Sequence, residues 1–123
     1  MKKRIFIKRV YEKFMGDEGF CVLIDRLWPR GIKKEGAPFE VWMKEIAPSN
    51  ELRKWYSHDA EKWVEFKARY FKELEAKTGL CVELLSGRGN KLTLVYSTRE
   101  EKFNHAEALK EYLEINFKEI VKD

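Results

Sequence analysis

Cysteine is scarce in this chain of 123 residues. It occurs only as Cys21 and Cys81, sixty residues apart and in no CxxC arrangement. That spacing excludes a zinc-ribbon site or a dithiol redox motif, and two small buried thiols in a reducing compartment are the expectation. Histidine also occurs twice, as His58 and His105, with no HxH, HxxxH or HExxH spacing. No metal site and no cofactor are therefore expected. Seven glycines and three prolines leave few breaks in regular structure, so long loops should be few. No linker, repeat or low-complexity tract occurs. No uncharged stretch approaches the ~18–20 apolar residues of a membrane span, so no membrane partner is expected. The opening run Met1-Lys2-Lys3-Arg4-Ile5-Phe6-Ile7-Lys8 mixes charge into its apolar residues at once, unlike a signal peptide. A cytoplasmic location is the expectation.

What is present is more telling. Hydrophobic residues make up 44% and aromatics 14%, enough for one core in one domain, residues 1–123. Charged residues reach 37%, against roughly 25% in an average soluble protein, but the aromatics argue against disorder. The net charge of +4 is uneven. Residues 1–60 carry 13 basic and 9 acidic groups, whereas 61–123 carry 12 of each. A locally basic surface attracts phosphates, nucleic acid or acidic metabolites.

The apolar pattern predicts an α/β fold: a small, mostly parallel sheet of about three strands packed with about five helices. Strands are expected over Arg4–Val10, Phe20–Ile24 and Lys91–Ser97. The nine residues between the first two strands leave a hairpin or a parallel arrangement open. Helices are expected to open at Pro38, at Pro48-Ser49 with Ser49 as N-cap, and at Asp59, this last running to Gly79. A short helix over 80–86 and a last helix, opened by a Thr98/Glu101 capping box, complete the set. Gly87-Arg88-Gly89-Asn90 precedes a strand and lacks a phosphate-loop ending, so it reads as a turn.

Ligands of open parallel sheets bind beyond the strands' carboxyl ends. Arg9 and Tyr11 follow the first strand there, and Asp25, Arg26, Trp28 and Arg30 the second. Tyr96, Ser97, Thr98 and Arg99 follow the third, with Asn104 and His105 a few residues on. The turn Asp25-Arg26-Leu27-Trp28-Pro29-Arg30-Gly31 is the most informative segment. Pro29 stiffens it, Gly31 permits an unusual backbone, and flanking arginines suit a planar oxyanion. An internal Asp25–arginine ion pair is the structural alternative. The candidate set is Asp25 and His105 for acid–base work, with Arg9, Tyr11, Arg26, Trp28, Arg30, Arg53, His58, Tyr96, Ser97 and Asn104 for binding. A helix N-terminus favours the neutral, basic form of an imidazole, the reason for choosing His105. Trp28 could stack on a base or on an arginine or plug the core, and His58 could serve as a capping or loop-packing residue.

Arg9-Val10-Tyr11 and Asp25 to Gly31 resemble the YeaO-like branch of domain-of-unknown-function family 488. So do Trp42, Ala47-Pro48-Ser49, Leu52-Arg53, Trp55, His58-Asp59, Trp63, Phe66, Arg69-Tyr70, Tyr96 and Asn104-His105-Ala106. The resemblance spans about residues 4 to 115 and implies a small α/β domain without an established activity. Broader relatives carry a Cys-His-Arg triplet where this chain has Asn104-His105-Ala106, so a cysteine nucleophile does not carry over. Glu12 stands where that family usually has Asp, and Ala60 where it often has Pro.

Three functions compete. One is an enzyme acting on a small anionic or phosphorylated substrate, held by Arg26 and Arg30 with Arg9 or Arg53 assisting. Another is a nucleic-acid-binding module using Lys2, Lys3, Arg4, Lys8, Lys33 and Lys34, although no helix-turn-helix with a basic recognition helix is evident. The last is a partner-binding protein with an aromatic patch near Phe14-Met15 or Phe39. Oligomeric state is left open.

Overall fold

Three stretches of β-favouring residues, far apart in the chain, lie side by side in the computed structural model, which describes residues 2–122. Met1 and Asp123 lie outside the described residues. The strands are β1 (Arg4–Arg9), β2 (Phe20–Leu23), β3 (Val41–Trp42) and β4 (Lys91–Tyr96). Their order is β1-β4-β2-β3, and every pairing is parallel. The hairpin alternative falls away because β4 lies between β1 and β2. Arg4 to Arg9 face Lys91 to Tyr96 in register, and Phe20 to Leu23 face Leu92 to Val95.

The fourth strand corrects the reading of a helix from Pro38. Val41 and Trp42 pair with Val22 and Leu23, flanked by bonds from Glu40 N to Cys21 O and from Met43 N to Leu23 O. Only Lys44–Ile46 coils there, as one 3-10 turn. Val and Trp favour extended backbone, and an available sheet edge decides the matter.

Four α-helices follow: α1 (Asn50–Tyr56), α2 (Trp63–Glu75), α3 (Thr78–Leu85) and α4 (His105–Asn116). Ser49 caps α1 as expected, its Oγ accepting from Leu52 N at 3.1 Å. The Ser49 hydroxyl and backbone N–H both donate to Glu73, tying α1 to α2. Asp59 accepts from Glu61 N and opens a 3-10 turn rather than α2 itself. α2 stops at Glu75, short of Gly79, which lies inside α3. The capping box at Thr98 does not form. Thr98 Oγ1 closes a local turn with Glu100 N, and Asn104 caps α4 instead.

The helices cover one face of the sheet. Ile5, Val22, Leu92, Leu94 and Tyr96 pack there against Phe66, Tyr70, Leu74, Leu84, Leu109 and Leu113. The opposite face presents Val10, Cys21, Leu23 and Val95, covered by Phe14, Trp28, Ile32 and Phe39 from loops. Loops are thus longer than the few glycines and prolines suggest, since residues 24–40 contain no helix or strand. Aromatic packing replaces hydrogen-bonded order in that segment. Trp28 meets Phe39 and Trp42 edge to face, with centroids 5.2 and 5.4 Å apart. Both cysteines are free and buried. Among the described residues no helix is long and apolar enough to cross a membrane.

Candidate functional site

Parallel strands put all their carboxyl ends on one edge, and a cavity of about 750 Å³ opens there. The loops after β1, β2 and β4 line it, together with residues of α1, α2 and α4. Every residue of the candidate set reaches it except Tyr96. Tyr96 shares the parity of Leu92 and Leu94 along β4, so its ring lies in the helix-side core. Burial pushes its hydroxyl pKa up. Strand alternation alone carried that signal.

Asp25 is the centre of the arrangement. It is 8% exposed. Its Oδ2 accepts from Ser97 N at 3.0 Å and from Ser97 Oγ at 2.5 Å, and Oδ1 lies 2.8 Å from His105 Nε2. Burial pushes the carboxyl pKa up, but the hydrogen bond and charge of His105, with both Ser97 donors, outweigh it and hold the value below the ordinary one. The ionised carboxylate is an acceptor only, so Nε2 carries the proton in this bond. Among the described residues His105 Nδ1 has no hydrogen-bond partner. Among the described residues no arginine pairs with Asp25, whose ionic partner is His105, and this overturns the ion-pair alternative.

The Ser97 hydroxyl donates to the Asp25 carboxylate and not to the imidazole, so His105 is not placed to activate it as a nucleophile. The cavity lining contains no cysteine. Among the described residues no group of three or more His, Cys, Asp or Glu could hold a metal ion.

Five guanidiniums share the cavity: Arg9, Arg26, Arg30, Arg53 and Arg99. Two are locked by backbone carbonyls. Arg9 Nε donates to Ser97 O and Thr98 O at 3.0 and 2.9 Å, while its guanidinium lies 4.8 Å from the Tyr11 ring centroid. Arg9 Nη1 and Nη2 remain without acceptors among the described residues. Arg26 donates to Pro48 O and Ala47 O at 3.2 and 3.1 Å. The other three are exposed at the rim. Arg53 has only a 3.4 Å bond to Asn50 Oδ1, and Arg30 and Arg99 have none among the described residues. None of the five is ion-paired with a carboxylate there.

Other candidates prove to be supports. Tyr11 donates its hydroxyl to Arg30 O at 2.6 Å, so it braces Arg9 and fastens one loop to another. Glu12 accepts from Arg9 N at 2.7 Å and closes the end of β1. Trp28 donates to Ile32 O at 2.6 Å within its aromatic cluster. Trp42 lies in β3 rather than in a helix, and its Nε1 donates to Asp25 O at 2.7 Å. Asn104 is fully engaged, accepting from Glu107 N and donating to Glu100 O. Gly31 takes φ +81°, the unusual backbone expected of it. Ser57 and His58 both adopt left-handed backbone, at φ 47° and 57°, a costly pairing for non-glycine residues. Arg99, which the edge rule places after β4 but which stands outside the candidate set, also lines the cavity. Sequence reasoning misses Ala47, Pro48, Tyr56 and Phe66, because no local pattern brings them to this edge.

Fold and site together define a small parallel α/β protein with a cationic crevice at its strand ends. The chain matches, over residues 4–122, the family model described as the inactive DUF488-N3 subclade. It is 41% identical over 111 residues to the uncharacterized protein Rv3073c of Mycobacterium tuberculosis, covering 89% of this chain and 93% of that one. It is 38% identical over 107 residues to the uncharacterized protein YeaO of Escherichia coli, covering 86% and 93%. No solved structure matches. The chain belongs to the YeaO-like DUF488 family.

Proposed function

We propose that this single-domain protein binds a small, multiply charged oxyanion of the phosphate type in the crevice. One observation carries this reading: five guanidiniums line one cavity, and no carboxylate is ion-paired with any of them among the described residues. Gathering like charges is unfavourable unless counterions or a ligand offset it. Arg9 is pre-oriented, with its Nη groups left for an oxyanion. A doubly charged phosphate suits that excess better than a single carboxylate does. Two buried free thiols suit a reducing cytoplasm.

The arrangement favours binding over covalent chemistry, in keeping with the word "inactive" in the subclade's description. The Asp25–His105 bond favours a second reading, proton transfer to or from the bound ligand through Nδ1. Turnover of para-nitrophenyl phosphate that vanishes in His105→Gln would establish it. The nucleic-acid alternative is weakened at two positions. Lys3 is buried on the carbonyls of Gly87 and Gly89, and Lys8 is paired with Glu18 at 2.8 Å.

Calorimetric titration with inorganic phosphate tests the proposal. Saturable binding that weakens with added salt is expected, and Arg9→Met should weaken it roughly 10- to 100-fold, the worth of a charge-assisted hydrogen bond. An absence of saturable heat at low salt, or wild-type affinity in Arg9→Met, counts against it.

A further inference from the structure

We propose that the ligand is an organic phosphate monoester whose apolar body lies against Leu27, Pro48, Tyr56 and Phe66. This rests on the oxyanion reading above and names the remainder of the molecule. The cavity volume of about 750 Å³ falls in the ~300–1,000 Å³ range of sites for organic ligands. A tetrahedral oxyanion of five heavy atoms fills only a small part of it.

The lining also holds an apolar surface. Arg9 ends β1, and Arg99 lies three residues beyond the neighbouring strand β4. The apolar surface comes from Pro48 before α1, Tyr56 at the end of α1 and Phe66 on α2, with Arg53 on the same α1 helix and Arg26 bonded to Pro48 O at 3.2 Å. The Tyr56 hydroxyl is committed to Phe103 O at 2.6 Å, so its ring is what remains for a ligand. That ring stacks on Phe66 at 4.2 Å and 22°, and both residues are buried, which makes this surface rigid before any ligand arrives.

Leu27 completes the pattern. It lies between Arg26 and Trp28 and lines the cavity, yet 62% of its surface is exposed. A ligand's apolar body would remove that surface from water, whereas a bare phosphate would not.

The test is calorimetric titration of the full chain with inorganic phosphate, phenyl phosphate and phenol. Phenyl phosphate should bind about tenfold or more tightly than inorganic phosphate, and phenol should not bind measurably. Leu27→Ser removes an exposed side chain and should leave folding intact. It should weaken phenyl phosphate about threefold or more and leave inorganic phosphate unchanged. Equal affinity for phosphate and phenyl phosphate would overturn the apolar body while leaving the oxyanion reading standing. Phenol binding as tightly as phenyl phosphate, or no effect of Leu27→Ser on the preference, would also overturn it. Failure of both phosphates to bind would overturn both readings.

Discussion

The two edges of the sheet differ in how their cationic groups are paired. At the amino-terminal edge, protein acceptors take up Lys3 and Arg88. Lys3 donates to the carbonyls of Gly87 and Gly89, and Arg88 pairs with Glu40 and donates to Gly19 O. These contacts link the segments entering β1, β2, β3 and β4, so that edge is fastened shut. At the carboxyl-terminal edge, five arginines face one cavity with no carboxylate partner among the described residues, Arg9 and Arg26 being held by backbone carbonyls. The lining carboxylate Asp25 is held by Ser97 and His105 instead. Cations engaged by the protein hold the fold together. Cations without a carboxylate partner, on a scaffold that holds them in place, are the basis of the proposed oxyanion site.

Three perturbations probe that contrast beyond the ligand titrations. The largest effect is expected at the fastened edge. Gly19 has φ +75°, and an added Cβ would collide with Lys91 of β4. Gly19→Ala should cost about 3 kcal/mol or more in urea unfolding, from backbone strain plus the collision. The phosphate affinity of the molecules that remain folded should be unchanged. A loss of affinity without a loss of stability would break the separation of the two edges.

The next effect is pH-dependent and belongs to the open edge. The Asp25 carboxyl has a lowered folded-state pKa, with burial opposing the shift and His105 and Ser97 producing it. Its unfolded value is about 3.9. Its contribution to stability is therefore complete above about pH 4 and is lost as pH falls through the folded-state value. Asp25→Asn should lower stability near neutrality and flatten the acid limb of the stability profile, measured by urea midpoints at successive pH values. Glu18, held to about 2 mainly by its hydrogen bond from Lys8, keeps some acid sensitivity in the variant. An unchanged acid limb would show that Asp25 is not held ionised by its neighbours.

The smallest effect is expected for Arg88→Met. Its ion pair with Glu40 is exposed, so stability should fall by less than about 1 kcal/mol. Phosphate affinity should not change, in contrast with Arg9→Met. A phosphate-binding loss equal to that of Arg9→Met would make charge, rather than position, the cause of binding.

Much of the fold was legible because its signals are local. Three strands and the Ser49 cap follow from side-chain alternation, apolar runs and one hydroxyl at the right offset. β3 was not legible, since two residues with no internal stabilisation become a strand only when β2 offers its edge. The start of α4 was misplaced for a related reason. Thr98/Glu101 and Asn104/Glu107 both place an acidic residue three positions after a capping type, and tertiary contact selects between them.

The site divides along the same line. The Asp25–Gly31 turn and the edge rule bring Arg9, Arg26, Arg30 and His105 into consideration from the sequence alone. Which of them touch, and through which atoms, is a long-range matter. Asp25 and His105 are eighty residues apart, and Arg9 and Ser97 eighty-eight. Composition and periodicity determined the α/β class, three of the strands and the basic first half, because side-chain alternation and residue content set these; that β1 and β2 are not a hairpin was decided by β4 entering between them. Tertiary structure alone decided that Asp25 pairs with an imidazole rather than an arginine. It alone tied the Tyr11 hydroxyl to Arg30 O and placed an aromatic wall beside the arginines, because such contacts exist only after distant segments pack.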